Sequence, residues 1–417
     1  MLKAFGKLWL RSAKRLAKAQ QSQQKKLQKQ LVKTLIDVPV KKTRKAVKRA
    51  AGVSSLPVLV RGASVGHRTT AASAGRATKV TAGKTARASK TASTAAEVSL
   101  AAGGSWTRSY FLSLEVDARM APRRMSCRLF IPDAAGSVTV AQRALPLVVM
   151  LHGCEQTASE FAGGTRMNRL AVRHGFAVLY PEQSASAHAQ RCWPWYQRVF
   201  QHGGHEVAMA AGMIEKAIAR HGFDPTRVYV AGLSAGAAMA QTLALRRPDL
   251  IAAVASHSGP VFGVADSRMS ALSVMQHGAR NSLQPILDLQ HERPDFPGMP
   301  ALILQGAHDN IVRPVNARQL VEQFRVLNDL PASASEPVLE RAARGKNDAF
   351  RIDDFRKGRQ LLVRLCEVAH LGHAWSGGDA SLRYNAALRP DASALMWDFF
   401  KRHRRLGPRS LVTSRQS

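Results

Sequence analysis

Apolar and polar positions alternate in blocks along residues 105–405, and the blocks have two different periods. Short apolar runs predict strands at Tyr110–Val116, Met125–Ile131, Leu147–Leu151, Phe176–Tyr180, Arg227–Ala231, Ile251–Ala255, Ala301–Gln305 and Leu361–Val368. Apolar residues three or four apart predict helices near Ala158–His174, Glu206–His221, Ala235–Arg246, Val315–Leu327 and Asp391–His403. This order predicts an α/β fold with a mostly parallel, doubly wound sheet, preceded by two antiparallel strands. We therefore expect the functional site at the carboxyl ends of the strands.

The ends of the chain have a different pattern. In residues 1–38, apolar residues such as Phe5, Trp9 and Leu16 fall at helical spacing among Lys, Arg and Gln, which predicts a basic amphipathic helix. Residues 39–104 are rich in Ala, Lys, Ser and Thr and predict a disordered linker, and residues 406–417 predict a basic disordered tail. The four predicted segments are thus 1–38, 39–104, 105–405 and 406–417.

The charge of the chain is concentrated in its first hundred residues. The 417 residues contain 61 Lys or Arg and 28 Asp or Glu, a net charge of +33, and residues 1–100 hold 23 of the basic residues with only Asp37 and Glu97 as acids. We expect this arm (residues 1–100) to bind an anionic membrane surface or nucleic acid, the alternatives being a helix that docks on its own domain and a soluble linker. No apolar run is long enough for a transmembrane helix, and basic residues interrupt the first twenty positions where an export signal needs an unbroken apolar centre.

One motif in the predicted domain is typical of nucleophilic catalysis. Gly232-Leu233-Ser234-Ala235-Gly236 follows a predicted strand and opens a predicted helix. Gly-x-Ser-x-Gly in that context predicts a sharp turn that presents the Ser234 hydroxyl above the sheet, at the positive end of a helix. The alternative is a glycine-rich helix start whose serine has no catalytic role.

The remaining parts of such a site are found at other strand ends. The backbone N–H groups of Ala235 and Cys154 are the expected oxyanion donors, since Cys154 follows the strand Leu147–Leu151, and His152 is expected to order this loop. Asp309 follows the strand Ala301–Gln305, and His373 lies in the loop after the last strand. We expect His373 to be the base and Asp309 to orient it. His370 competes with His373, and Asp353 and Asp354 compete with Asp309.

These residues belong to a longer set of motifs. The set comprises Gly153–Thr157, Phe161–Asn168, Tyr180–Gln183, Cys192–Tyr196, Gly232–Gly236 and Gly372–Gly378. Together they closely resemble the esterase family of the poly(3-hydroxybutyrate) depolymerases, to which feruloyl and acetylxylan esterases are related. The resemblance covers residues 107–405. It implies an α/β-hydrolase fold, a triad of Ser234, Asp309 and His373, and a serine esterase that needs no cofactor and no metal.

The resemblance also carries expectations about cysteines, substrate and location. It implies a disulfide between Cys154 and Cys192, with two reduced thiols as the alternative, whereas Cys127 and Cys366 are expected to be buried thiols in strands. The expected substrate is a short-chain 3-hydroxyalkanoate polyester or oligomer, with feruloyl or acetylxylan esters as the alternative. A polyhydroxyalkanoate granule joins the candidate partners of residues 1–100. Many relatives are secreted, but no export signal is visible, so a cytoplasmic, granule-associated enzyme is the alternative location.

Aromatic residues are expected to line the substrate site. Trp193, Trp195, Tyr196 and Trp375 offer flat apolar area in the loops of the motifs, and we expect one or two of them to touch substrate while the others belong to the core. Residues Phe262–Pro300 are expected to form a cap that shapes the acyl pocket.

Overall fold

The computed structural model describes residues 99–113, 123–133, 144–331, 335–341 and 349–405. The predicted amphipathic helix 1–38, most of the predicted linker and the predicted tail 406–417 lie outside the described residues. The strands are β1 Gly104–Ser113, β2 Arg123–Pro132, β3 Leu147–Leu151, β4 Ala177–Glu182, β5 Val228–Leu233, β6 Ala253–His257, β7 Ala301–Gly306, β8 Ser335–Arg341, β9 Phe350–Lys357, β10 Gln360–Val368, β11 Trp375–Ser376 and β12 Asn385–Ala386. The helices are α1 Ala158–Thr165, α2 Met167–His174, α3 Arg198–Gln201, α4 Glu206–His221, α5 Ala235–Arg246, α6 Arg268–His277, α7 Gln284–Glu292, α8 Val315–Leu327 and α9 Ala392–Phe400.

Ten strands form one sheet in the order β1-β2-β4-β3-β5-β6-β7-β10-β9-β8. The six strands from β4 to β10 in this order are parallel, whereas β1 and β2 on one side and β9 and β8 on the other pair antiparallel. Strands β3, β5, β6 and β7 are buried throughout, because helices cover both faces of the sheet. This is the α/β-hydrolase architecture that the resemblance implied, with the predicted antiparallel pair at its start.

Two hydrophobic cores fill the space between the sheet and its helices. One contains residues of α4 to α8, and the other residues of α1, α2 and α9. The predicted helix over Ala158–His174 is in fact two helices, because Arg166 between them adopts a left-handed conformation with φ of 56°. The break follows Gly163 and Gly164, which are weak helix formers, and the Thr165 hydroxyl beside it donates a hydrogen bond to the Phe161 carbonyl.

The sequence pattern missed strand β9 because charged residues interrupt it. Asp354 of β9 is fully buried, and its carboxylate accepts hydrogen bonds from Arg364 on β10 and from Arg356. A buried ion pair therefore occupies a position where alternation alone expects an apolar side chain. The pattern also missed β8, α6 and α7.

The folded domain begins earlier than the predicted boundary at residue 105. Leu100 packs against the core under α1 and α2, and its carbonyl accepts a hydrogen bond of 3.0 Å from the Asn168 side chain. Residues 99–104 therefore belong to the domain rather than to the predicted linker. In the described ranges, no helix combines the length and the apolar composition that a membrane span requires.

Candidate active site

Ser234 lies on a strained turn between β5 and α5. Its backbone angles are φ 57° and ψ −120°, a conformation that a non-glycine residue rarely adopts. The turn needs glycine on either side, because a Cβ on Gly232 would clash with the Gly236 carbonyl and a Cβ on Gly236 would clash with the Leu151 carbonyl. The Ser234 N–H donates to the His257 carbonyl at 2.9 Å, which fixes the turn to the end of β6. The serine thus lies at the carboxyl edge of the sheet, in front of the helix N-terminus.

Asp309 and His373 form a buried pair at the same edge. The loop after β7 carries Asp309, the loop after β10 carries His373, and His373 Nδ1 lies 2.8 Å from Asp309 Oδ2. The other carboxylate oxygen, Oδ1, accepts the backbone N–H groups of Ile311 and Val312, both at 2.9 Å. The Asp309 side chain has no solvent exposure and that of His373 has 4%. The carboxylate is therefore held in one orientation, and it directs the Nε2 side of the imidazole away from itself.

His257 connects the turn of Ser234 to the loop of His373. Besides its carbonyl bond to Ser234, its Nε2 accepts the N–H of Ser376 at 3.3 Å, and its ring stacks on Trp375 at 5.1 Å. Burial, with the charge of His373 as a lesser cause, lowers the pKa of His257 to about 3. The side chain is therefore a neutral imidazole that holds two parts of the site together. This role was not predicted from the sequence, although a polar residue at the end of a buried strand was a signal for it.

The loop after β3 lies against Ser234. A Cβ on Gly153 would lie 3.4 Å from the Leu233 carbonyl oxygen and 3.7 Å from the Ser234 Cβ, so this loop and the serine are in contact. The Ala235 N–H is the first of α5 and has no intrahelical partner. Among the described residues, the Cys154 N–H makes no hydrogen bond. In the part of the chain that the structure describes, neither N–H thus has a hydrogen-bond partner, one in the turn of Ser234 and the other in the loop beside it.

The side chain of His152 fixes the orientation of the Cys154 N–H. The fully buried imidazole accepts the Gln183 N–H at Nε2, at 3.0 Å, so its proton is on Nδ1, which donates to the Gly153 carbonyl at 2.8 Å. Burial lowers the pKa of His152 to about 4, which keeps it neutral. The Gly153 carbonyl and the Cys154 N–H belong to one planar trans peptide and point in opposite directions. Holding the carbonyl therefore aims the N–H.

Three further contacts hold the same loop. A disulfide joins Cys154 to Cys192, as the resemblance implied, and the Trp193 Nε1 donates to the His152 carbonyl at 2.9 Å. The Glu155 carboxylate accepts hydrogen bonds from Tyr384 Oη at 2.6 Å and Arg383 Nη2 at 2.7 Å. Gln183, Glu155 and Tyr384 were missed as structural supports of the site, and only Gln183 and Glu155 stood in motifs that could have indicated them. Cys127 and Cys366 are buried free thiols in β2 and β10, as expected.

The structure corrects the expectation for two of the four aromatic residues. Trp193 is 1% exposed and Trp375 is fully buried, with its Nε1 donating to Ser393 Oγ at 3.2 Å. These two rings belong to the core, the alternative that the sequence left open. Counted over the whole residue, Trp195 and Tyr196 are each 8% exposed, the same fraction as Ser234 and His373, and their rings pack edge to face. They remain the candidates for contact with substrate.

The competing residues are placed elsewhere. His370 is exposed, with its ring 5.5 Å from that of His308. Asp354 is held by Arg364, and Asp353 accepts from Arg351 Nε at 2.9 Å. None of these three is hydrogen-bonded to the pair of Asp309 and His373. In the described ranges, no group of three or more His, Cys, Asp or Glu side chains is arranged to hold a metal ion.

Comparison with known proteins identifies the family. The sequence profile described as esterase PHB depolymerase matches residues 125–343 of the chain, which is more than half of its length. The chain belongs to this family. Poly(3-hydroxyalkanoate) depolymerase C of Paucimonas lemoignei is 34% identical over 183 residues, which are 43% of this chain and 44% of the depolymerase. Feruloyl esterase B of Neurospora crassa is 30% identical over 220 residues, 49% of this chain and 70% of that enzyme.

A solved structure supports the fold of this PHB depolymerase family member. Acetyl xylan esterase from Aspergillus awamori superposes with a TM-score of 0.52 at 18% identity, covering 70% of this chain and 99% of the esterase. At that identity the likeness concerns the fold alone. The alignment with the Paucimonas depolymerase spans less than half of that protein.

Proposed function

We propose that the protein is a serine esterase that hydrolyses short-chain 3-hydroxyalkanoate polyesters or their oligomers. The observation that carries this proposal is the meeting of three loops at one edge of the sheet: the strained turn of Ser234, the buried pair of Asp309 and His373, and the Gly153–Cys154 loop with its aimed N–H. The similarity to poly(3-hydroxyalkanoate) depolymerase C supports the substrate class.

In the proposed mechanism, His373 Nε2 takes the proton of Ser234 Oγ, which attacks the ester carbonyl carbon. The Cys154 and Ala235 N–H groups donate to the oxyanion, and Asp309 stabilises the imidazolium through Nδ1–H. Collapse of the tetrahedral intermediate expels the alcohol, which receives its proton from His373 and leaves an acyl ester on Ser234. Water, activated by the same imidazole, then releases the acid and restores the serine.

The region between β6 and β7 is hydrogen-bonded both to the aromatic loop and to the loop of Asp309. Arg268 at the start of α6 donates to the Tyr196 hydroxyl at 3.2 Å. At the other end of α6, the Gln276 side chain donates to the carbonyls of Asn310 and Ile311, both at 3.0 Å, beside Asp309. Helix α6 therefore spans from the aromatic loop to the loop of the acid. We infer that it forms the wall of the acyl pocket together with Trp195 and Tyr196.

The test compares the wild type with Ser234→Ala, and with Ser273→Ala on the exposed side of α6 as the matched control. Soluble p-nitrophenyl butyrate, 3-hydroxybutyrate oligomers and amorphous poly(3-hydroxybutyrate) are assayed in parallel with methyl ferulate and acetylated xylan. We expect activity on the hydroxybutyrate substrates that disappears only in Ser234→Ala. A Ser234→Ala protein with most of its activity would refute the serine mechanism. Higher kcat/KM on ferulate or acetylxylan would replace the substrate class by that of the feruloyl or acetylxylan esterases, which the Neurospora relative supports.

The basic arm (residues 1–100) supports a second role, that of a tether. We propose that it holds the enzyme on a granule, an anionic membrane surface or nucleic acid, since its charge is far in excess of that of the domain. Salt separates these partners, because binding to nucleic acid collapses between low and moderate ionic strength. Attachment to a polyester granule through apolar residues such as Phe5 and Trp9 is expected to survive the same salt.

A further inference from the structure

The outer face of the β1–β2 hairpin combines arginines with exposed apolar side chains. On β1 it carries Trp106, Arg108, Tyr110 and Leu112, and on β2 it carries Arg124, Ser126, Arg128 and Phe130, whereas Phe111, Met125, Cys127 and Leu129 point to the opposite face. Phe130 is buried and Trp106 is half-buried against the core under α1 and α2, so only the part of the face from Arg108 to Leu112 and Arg124 is open to solvent. Tyr110 is 42% exposed and Leu112 is 59% exposed. The hairpin lies at the end of the sheet, and β1 is its outermost strand.

The arginines of this face lie over its aromatic rings. Arg124 Cζ is 3.6 Å from the centre of the Tyr110 ring, and Arg108 Cζ is 5.2 Å from the same centre. Within the described residues, neither Arg108 nor Arg124 forms an ion pair with a carboxylate. No carboxylate among the described residues therefore pairs with their charge, and their guanidinium groups are held against the exposed Tyr110 ring.

A cavity of about 560 Å³ opens beside the face. Arg108, Arg128, Arg166 and Arg169 line it, together with Leu382, which is 36% exposed. Three acidic residues line it as well, and one of them, Asp379, pairs with Arg166 at 3.4 Å, so four arginines and three carboxylates leave the lining a net charge of about +1. Glu160 closes the capping box of α1, Glu182 accepts the Ala158 N–H at 2.8 Å, and Asp379 accepts from Ser381.

We propose that this face docks on an anionic phospholipid surface. Arginines attract the phosphate groups of such a surface, and Tyr110 and Leu112 supply the apolar contact that a membrane interface accepts. A nucleic acid would use the arginines but has no role for an exposed leucine. Charged residues on an edge strand also prevent the strand from pairing with another chain. That function would explain the arginines but not the exposed leucine at position 112. Residues 1–100 precede β1 in the chain, and their 23 basic residues against two acids add to the attraction of the whole chain for an anionic surface. The proposal does not depend on the esterase assignment.

A fluorescent label at one position tests the docking in the full chain. The chain's four cysteines are bridged or buried, so Leu112→Cys offers one accessible thiol for an environment-sensitive nitrobenzoxadiazole dye. The matched control is Leu287→Cys, since Leu287 on α7 is 48% exposed and belongs to the helices on the other face of the sheet. We expect a blue shift and a several-fold rise in emission at position 112 with phosphatidylcholine vesicles that contain phosphatidylglycerol. We expect neither change at position 287, nor at position 112 with phosphatidylcholine alone.

Charge removal gives an independent measurement. The double variant Arg108→Gln/Arg124→Gln should weaken vesicle partitioning by about fivefold for each arginine removed. The double variant Arg280→Gln/Arg318→Gln changes the net charge equally at exposed positions elsewhere and should weaken it less. An unchanged dye at position 112 while the protein sediments with anionic vesicles would overturn the proposal, and so would an equal response at position 287. An equal response at position 112 to a single-stranded oligonucleotide would assign the face to nucleic acid instead.

Discussion

Replacing Asp309 by Asn tests how the base of the site is oriented. In the wild type, Oδ1 accepts two backbone N–H groups at 2.9 Å and Oδ2 faces His373 Nδ1 at 2.8 Å. An asparagine must place its NH₂ group on one of these two sides. On the Oδ1 side, the NH₂ group would face two buried N–H donors and could accept from neither, and each hydrogen bond lost there costs about 1–3 kcal/mol. The amide is therefore expected to keep its oxygen on that side and to point NH₂ at His373.

That orientation changes the tautomer of the imidazole. Nδ1 must then accept a hydrogen bond, so the proton moves to Nε2, which can no longer take the proton of Ser234. We expect kcat to fall about 10⁴-fold, as tautomer loss does in other serine hydrolases, which corresponds to about 5.5 kcal/mol of activation free energy. KM and the free energy of unfolding should change little, because the side chain keeps its shape and three of its contacts.

The assay is steady-state hydrolysis of p-nitrophenyl butyrate, with urea unfolding of the same protein. Asp353→Asn is the matched control, because Asp353 is the competing acid from the sequence and bonds only Arg351 among the described residues. We expect the control to keep wild-type kcat. A loss of less than about tenfold in Asp309→Asn, under 1.4 kcal/mol, would refute the role of Asp309 as the orienting acid.

Three further outcomes are expected. His152→Phe removes the hydrogen bond that orients the Cys154 N–H, and kcat should fall about 100-fold while KM stays near its wild-type value. An unchanged kcat would show that the Cys154 N–H does not stabilise the transition state. Trp375→Leu should lower the free energy of unfolding by about 3 kcal/mol in urea titrations, because the ring is part of the core. Trp195→Ala should instead raise KM, and the reverse pattern would contradict the placement of the two rings. Burial lowers the pKa values of His152, His257 and His403 to about 4, 3 and 4. Below pH 6.5 these side chains are therefore protonated in the unfolded chain but neutral in the folded chain. Stability should therefore fall by about 2 kcal/mol per histidine between pH 7 and pH 5, and equal urea midpoints at the two pH values would contradict the buried neutral state.

Much of the candidate site was predictable because its signals are local. The backbone of a sharp strand-to-helix turn admits few residues, so glycines around Ser234 indicate the turn from the sequence alone. A carboxylate or imidazole after a buried strand lies at the carboxyl edge in any parallel sheet, which is why Asp309 and His373 could be chosen. The choice between His373 and His370 depended on the loop, and the structure shows which of the two reaches Asp309.

Other features depended on contacts between segments that are distant in the sequence. His257 connects Ser234 to Ser376 across more than a hundred residues, and Glu155 meets Tyr384 across a longer separation. The hydrophobic pattern also gave no sign of β9, since its Asp354 is buried only because Arg364 on the next strand neutralises it. The sequence left open whether Trp193 and Trp375 lie at the surface or in the core, and the structure shows both of them buried.

The amino-acid sequence by itself determined the alternation of strands and helices, the positions of the candidate catalytic residues at strand ends, and the concentration of charge in residues 1–100. These properties follow from local backbone preferences and from the period of apolar positions, which neighbouring residues settle. Only the tertiary structure decided which histidine pairs with Asp309, which aromatic rings are buried, and that arginines and Leu112 share one exposed face of the hairpin. The reason is physical: burial, hydrogen-bond pairing and uncompensated charge are properties of surfaces brought together, and no single segment of the chain contains them.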